Sequence, residues 1–279
     1  MPEQLAEDAQ VAEGYYDSDD ADRFYFHIWG GEDIHVGLYT APDEPIREAS
    51  RRTVTTMAEK LPPGALDGKI LDLGAGYGGS ARHLCDGTSG VWRCVNISET
   101  QNQLNREKNA AAGLSERIEV VHGSFDTPHA ADGEMDVVWS QDAFLHGSDR
   151  RRILELAAHA LKPGGHLIFT DPMQADTADT SALQPIFDRI HLPSMGSVAA
   201  YRAYARDLGL EEVEIDERPH QLGTHYDRVR QELSARRREL EGKVSPGFAD
   251  RMIAGLGHWV DGAASGNLNW GILQFRKPI

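Results

Sequence analysis

Residues 69–79 read Lys69-Ile70-Leu71-Asp72-Leu73-Gly74-Ala75-Gly76-Tyr77-Gly78-Gly79. The short apolar run KILDLG (69–74) reads as a buried strand, and GGSARHLCD begins a helix directly after the glycines. Glycines at such a junction permit a tight turn and a close approach of ligand to backbone. The N–H groups at the helix start favour a negative group. Gly74, Gly76 and Gly79 also satisfy G-x-G-x-x-G, the spacing of dinucleotide-binding loops. Asp72, two residues before the first glycine, argues for a different ligand. A carboxylate there opposes a pyrophosphate and suits a molecule that carries an ammonium group near the loop. A glycine-rich turn with no ligand and a nicotinamide or flavin site remain the alternatives at this point.

Outward from this loop the chain keeps alternating strand and helix. VWRCVNIS (91–98), RIEVVHG (117–123), MDVVWSQD (135–142) and HLIFTD (166–171) read as strands. ETQNQLNREKNAAAGL, ending at Gly113, and RRILELAAHAL (151–161) read as helices. Short apolar strands separated by helices mean a parallel sheet covered on both faces. After residue 171 the rhythm changes. Residues 172–208 read as mostly helical and LEEVEIDERP (210–219) as a strand. HYDRVRQELSARRRELEGK (225–243) and GFADRMIAGLGHWVDGAA read as helices, and NWGILQFRKP (269–278) as a closing strand. A late strand, a helical insert and a final strand fit an antiparallel edge added to a parallel sheet. The division expected is an aromatic N-terminal cap segment over 1–60 and a catalytic domain over 61–279, with its core at 65–171 and its insert and final strands at 172–279.

Composition narrows the function. The 279 residues are 40% hydrophobic, enough for a core and too much for a disordered chain. Lys plus Arg number 28 against 44 Asp plus Glu, a net charge of −16, which disfavours nucleic-acid phosphates and anionic membrane surfaces as partners. Such acidity fits a surface charged for solubility or one adapted to high internal salt. Only two cysteines, Cys85 and Cys94, exclude a disulfide scaffold. The histidines do not cluster with cysteines or carboxylates at metal-ligand spacings, so no metal site is expected. With no long apolar run and no signal-like start, a cytoplasmic protein is the expectation.

With Asp72 before its glycines, the loop resembles that of the class I S-adenosylmethionine-dependent methyltransferases, and LKPGGHLIFTD (161–171) is similar to their helix end and fifth strand. The resemblance implies a Rossmann-like α/β fold, a mostly parallel sheet with an antiparallel C-terminal strand, and S-adenosylmethionine as methyl donor. It places Asp72, Gly74 and Gly76 at that cofactor. The second strand of the family usually ends in an acidic residue. Here Asn96-Ile97-Ser98, with Gln101 one turn on, is similar to the branch of cyclopropane-forming, phosphoethanolamine and small-amine methyltransferases. That implies ribose and adenine contacts for Asn96, Ile97 and Gln101. Ser124 and Phe125 would flank the adenine, and Gln141 would pass near the methionine end. His35 and Val36 would meet the cofactor too.

For the acceptor, Asp142-Ala-Phe-Leu-His146 would put carboxylate and imidazole on one face if helical. The matching D-x-x-x-H of phosphoethanolamine methyltransferases implies a proton-accepting pair, with Asp142 orienting His146. Aromatics at Tyr16, Tyr25 and Trp29 could attract an alkylammonium group. Arg189, with His191 beside it, offers a cation for a substrate carboxylate. A fuller resemblance, to sarcosine and dimethylglycine N-methyltransferases, rests on IWGGEDIHVGLY, WSQDAFLHG, PIFDRIHLPSMGS and GNLNWGILQFRKP. It implies an enzyme making the osmolyte glycine betaine from small-molecule amines, sarcosine and dimethylglycine, consistent with osmoadaptation. A methyltransferase of phosphoethanolamine or a phenol, and a non-catalytic cofactor-binding protein, are the competing readings.

Overall fold

The computed structural model describes residues 28–29, 31–147, 149–190, 192–240 and 244–279. Seven strands, β1 (Lys69–Leu73), β2 (Val91–Asn96), β3 (Ile118–His122), β4 (Met135–Gln141), β5 (Leu161–Gln174), β6 (Glu211–Glu217) and β7 (Leu268–Arg276), form one sheet. Its order is β3-β2-β1-β4-β5-β7-β6. The first five strands pair in parallel, and β7 runs antiparallel to both β5 and β6. The strand order reverses between β1 and β4, and open α/β sheets bind ligands beyond the carboxyl ends of their strands at such a point.

Among the described residues eight α-helices accompany the strands: α1 (Ile46–Lys60), α2 (Gly79–Cys85), α3 (Glu99–Ala111), α4 (Arg150–Ala160), α5 (Gln184–Ile190), α6 (Val198–Asp207), α7 (Pro219–Ala235) and α8 (Phe248–Ala264). Side-chain caps start three of them: Ser98, Asp149 and Ser197 accept N–H bonds from Gln101, Arg152 and Ala200. Alternation sorts the sheet's side chains. Ile70, Val137, Trp139 and Ile168 pack with Trp92 and Met57 in one core. Leu71, Leu73, Val138 and Phe169 pack with Ile153 and Tyr201 in another. A third core, with Trp29, Leu222, Tyr226, Trp259 and Trp270, sits under α7 and α8. Among the described residues no helix is long and apolar enough to cross a membrane.

Three features differ from the sequence reading. The final strand is not itself the edge: β7 lies between β5 and β6, and β6, with Glu211, Glu212 and Glu214 exposed, is the charged outer strand. β5 is longer than 166–171 because β7 pairs with it as far as Gln174↔Leu268, beyond the last β4 pairing at Gln141↔Thr170. α7 begins at Pro219 rather than 225. A Cβ on Gly223, within the added first turns, would lie 3.1 Å from Ala263 Cβ, so the glycine serves the close approach of α7 and α8.

Residues 35–39 cross between α1 and α7 as a strap whose backbone is fastened at each step. Ser50 Oγ donates to His35 O at 3.0 Å and Thr53 Oγ1 to Val36 O at 2.8 Å. Gly37 N–H donates to His225 Nδ1 at 3.1 Å, and the Tyr39 amide and carbonyl are both taken by Gln221. Tyr39 Oη lies 2.9 Å from the same His225 nitrogen. His225 is fully buried, and burial lowers its pKa to about 3. From about pH 6.5 down to 3 the unfolded chain therefore binds a proton that the folded chain does not, so stability falls as pH falls. This group alone should remove about 2 kcal/mol between pH 7 and pH 5. Urea unfolding at both values should show that loss in the wild type and a clearly smaller one in His225→Gln. An equal loss in both would contradict the assignment.

Candidate active site

A cleft opens at the carboxyl ends of β1, β2 and β4, where open α/β sheets bind their ligands. Gly74, Gly76, Asn96, Ile97, Gln101, Ser124, Phe125 and Gln141 line it, as do Ile34, Ala143, Asp142 and His146. Gly74 has φ +81°, and a Cβ there would lie 2.3 Å from Ala143 Cβ, so only glycine fits. The loop is anchored to β2 through Val95 O, which accepts N–H bonds from Gly74 at 2.9 Å and Ala75 at 3.0 Å.

Two amides in this cavity are half-satisfied. Asn96 Nδ2 donates to Gln101 Oε1 at 3.0 Å, and Gln101 Nε2 stays buried with no partner among the described residues. Gln141 Oε1 accepts from Ser80 Oγ at 2.5 Å and Trp139 Nε1 at 3.0 Å, and its Nε2 likewise has none. Buried donors of this kind call for a ligand acceptor. Asp72 is buried on β1 behind the loop rather than on the cavity wall. Burial raises its pKa to about 8, a state that a neighbouring ammonium would reverse. Free amide donors, a purine-sized apolar face at Phe125 and a buried carboxyl fit S-adenosylmethionine, which joins a diol, an adenine and an ammonium.

A second cavity lies on the other side of Asp142. Trp29, Val36, Pro172, Arg189, Tyr226, Met252 and Trp259 line it, and Ile34, Asp142 and His146 border both cavities. Arg189 Nη2 sits 2.6 Å from Met252 Sδ, and no carboxylate pairs with this guanidinium among the described residues. A Cβ on Gly255 would lie 2.2 Å from Arg189 Nε, so α8 carries a glycine where the guanidinium lies against it.

The expected orienting bond between Asp142 and His146 is not formed among the described residues. Asp142 has φ +50°, and a short 3-10 turn starts only at Phe144, so the i,i+4 geometry of a helix never arises. The carboxylate is bonded elsewhere: Val36 N–H donates to Oδ2 at 2.6 Å and Trp270 Nε1 to Oδ1 at 2.8 Å. Burial raises its pKa, and His35 and these two donors oppose that rise. His146 has its pKa lowered to about 4, by burial first and the Arg150 charge second, so its imidazole is neutral near pH 7. His35, the first residue of the strap, is buried and does not line either cavity. Tyr16, Tyr25 and His191 lie outside the described residues.

Sequence reasoning missed Trp270, Tyr226 and Trp259. Trp270 reaches Asp142 only through the register of β7, which pairs it with Pro172. Tyr226 did carry a signal: Leu222, Tyr226, Val229 and Leu233 form a buried stripe at helical spacing on α7.

Residues 71–169 match the family model described as a methyltransferase domain. The chain is 48% identical to the sarcosine/dimethylglycine N-methyltransferase of Aphanothece halophytica, with 97% of this chain and 98% of that one covered. It is 50% identical to the sarcosine/dimethylglycine N-methyltransferase of Halorhodospira halochloris, over 96% of each. A solved structure from Galdieria sulphuraria, assigned to the sarcosine dimethylglycine methyltransferases, is 46% identical with a TM-score of 0.89, covering 95% of this chain and 99% of that one.

If an ammonium group docks beside Asp72, binding of S-adenosylhomocysteine at pH 7 should release close to one proton, because a carboxyl with pKa about 8 is mostly protonated there. Calorimetry in buffers of different ionisation enthalpy measures this. Asp72→Asn should abolish the release and weaken binding about ten- to hundredfold. Proton release that persists in the variant would place its source elsewhere.

Proposed function

Because this chain belongs to the sarcosine/dimethylglycine N-methyltransferases, we infer that it methylates the nitrogen of sarcosine and then of dimethylglycine, ending in glycine betaine. One observation carries the reading. A cavity lined by the glycine loop and a cavity holding Arg189, which pairs with no carboxylate among the described residues, share Ile34, Asp142 and His146 as their common border. Donor and acceptor would meet at that border. Bound in the first cavity, S-adenosylmethionine supplies a methyl group on a sulfonium centre.

The chain's own residues then have three tasks. Arg189 holds the acceptor carboxylate, which fixes the direction of its amine; a guanidinium can do this with two parallel bonds. Asp142 and His146 deal with the proton. Sarcosine and dimethylglycine are ammonium ions near neutral pH, and each must give up one proton before its nitrogen offers a lone pair. The neutral His146 imidazole and the Asp142 carboxylate, which keeps free lone pairs after its two bonds, can each accept it. When His146 is the acceptor, an ionised Asp142 offsets the charge that grows on nitrogen as it is methylated, and its two fixed donors keep the carboxylate from reorganising. On the acceptor side, Trp29 and Val36 support residues 1–60 as a cap over the methyltransferase domain of 61–279.

Methyl transfer from labelled S-adenosylmethionine should proceed with sarcosine and dimethylglycine and be at least tenfold slower with phosphoethanolamine or a catechol. Turnover of phosphoethanolamine or the catechol in preference would overturn the acceptor assignment. Asp142→Asn should lower kcat by about 10²–10⁴. Gly255→Ala, which displaces the guanidinium, should raise KM for both amino acids about tenfold or more while leaving cofactor affinity within about twofold. An unchanged KM would remove Arg189 from the substrate site.

A further inference from the structure

The second cavity has a wall that neither the glycine loop nor the proton-handling pair explains. Tyr226 of α7 and Trp259 of α8 stack with centroids 4.6 Å apart and planes within 4°. Trp29 meets Tyr226 edge-on, at 5.5 Å and 88°. All three rings border the cavity that holds Asp142 and Arg189. Two ring planes at right angles make a corner, with one carboxylate and one guanidinium on the remaining sides.

We propose that the Tyr226–Trp259 stack, with Trp29, selects the acceptor by the number of alkyl groups on its nitrogen. The proposal rests on the methylation of sarcosine and dimethylglycine inferred above and deepens it. A primary ammonium carries three strongly hydrated N–H donors, and losing that hydration is unfavourable unless acceptors replace it. This cavity offers Asp142 and His146 as hydrogen-bond acceptors near the border and, apart from Arg189, aromatic and aliphatic carbon and the Met252 thioether elsewhere. A dimethyl- or trimethylammonium spreads its charge over methyl groups, needs few acceptors, and is attracted to aromatic faces. The wall therefore favours each successive methylation state and disfavours glycine. It also holds the trimethylated product, so glycine betaine should compete with the acceptors.

The test compares glycine betaine with 3,3-dimethylbutanoate, which has the same shape and carboxylate but a neutral quaternary carbon. Equilibrium binding of both is measured by calorimetry on the full chain with S-adenosylhomocysteine present. In the wild type betaine should bind more tightly than the isostere by about two- to thirtyfold. In Trp259→Leu the ratio should fall toward one, and kcat/KM for dimethylglycine should drop relative to glycine. Trp259→Phe keeps a weaker aromatic face, so its ratio should lie between the two; it also serves if the leucine variant does not fold. A wild-type ratio that both variants retain would overturn the wall's role while leaving the betaine-forming reading intact. Failure of wild-type protein to bind either molecule would overturn that reading, and the wall's role with it.

Discussion

One carboxylate of Asp142 closes two bonds that tie distant parts of the chain together: Val36 N–H at 2.6 Å and Trp270 Nε1–H at 2.8 Å. Val36 belongs to the strap from the N-terminal segment, Trp270 to the last strand, and Asp142 to the end of the central strand. The residue adopts φ +50°, a region in which a short polar side chain is better tolerated than most. Its own amide is held by Thr170 O at 3.0 Å. Burial disfavours the charged form of this carboxyl, and its two N–H donors, where the two cavities meet, oppose that effect. The antiparallel closing strand has a purpose in this light, since only its register brings the Trp270 indole to that spot.

The same logic extends along the sheet's carboxyl edge. Asp72, Asp142 and Asp171 lie on or just past β1, β4 and β5, and burial raises the pKa of each, Asp171 to about 7. Asp171 is satisfied within the protein, by Tyr201 Oη at 2.7 Å and Leu145 N–H at 2.8 Å, and it orders the short turn that carries His146. Asp72 lacks such a bond among the described residues and depends on what binds. A floor of three buried acids suits ligands whose charges are cationic: an ammonium, a sulfonium, and a nitrogen that gains positive charge as it is alkylated.

Much of this was legible in the sequence because it is local. The glycine loop, the strand ends at Asn96 and Gln141, and the parallel core follow from short-range pattern, and the structure brings Gly74, Gly76, Asn96, Ile97, Gln101, Ser124, Phe125 and Gln141 to one cavity. Arg189 and Trp29 likewise reach the second cavity with Asp142 and His146. What stayed hidden is non-local. The bond partners of Asp142 are 106 and 128 residues away in the chain, so spacing alone favoured the nearby His146. The reason for Gly223 and Gly255 is likewise non-local: another group packs where a Cβ would be. Tyr226 and Trp259, 33 residues apart, reach the same wall only because α7 and α8 pack together.

The central claim is that the Trp270 donor favours the charged form of Asp142 at the border of the two cavities. Trp270→Phe removes that N–H and keeps a smaller aromatic ring at this buried position, so the pH profile of kcat/KM for dimethylglycine tests the claim directly. Loss of a donor to the charged form raises the carboxyl pKa, so the acidic limb should move to higher pH. The amine's own ionisation in solution is common to both enzymes and cancels in the comparison. An acidic limb that stays in place, in a variant that folds and binds cofactor normally, would contradict the account.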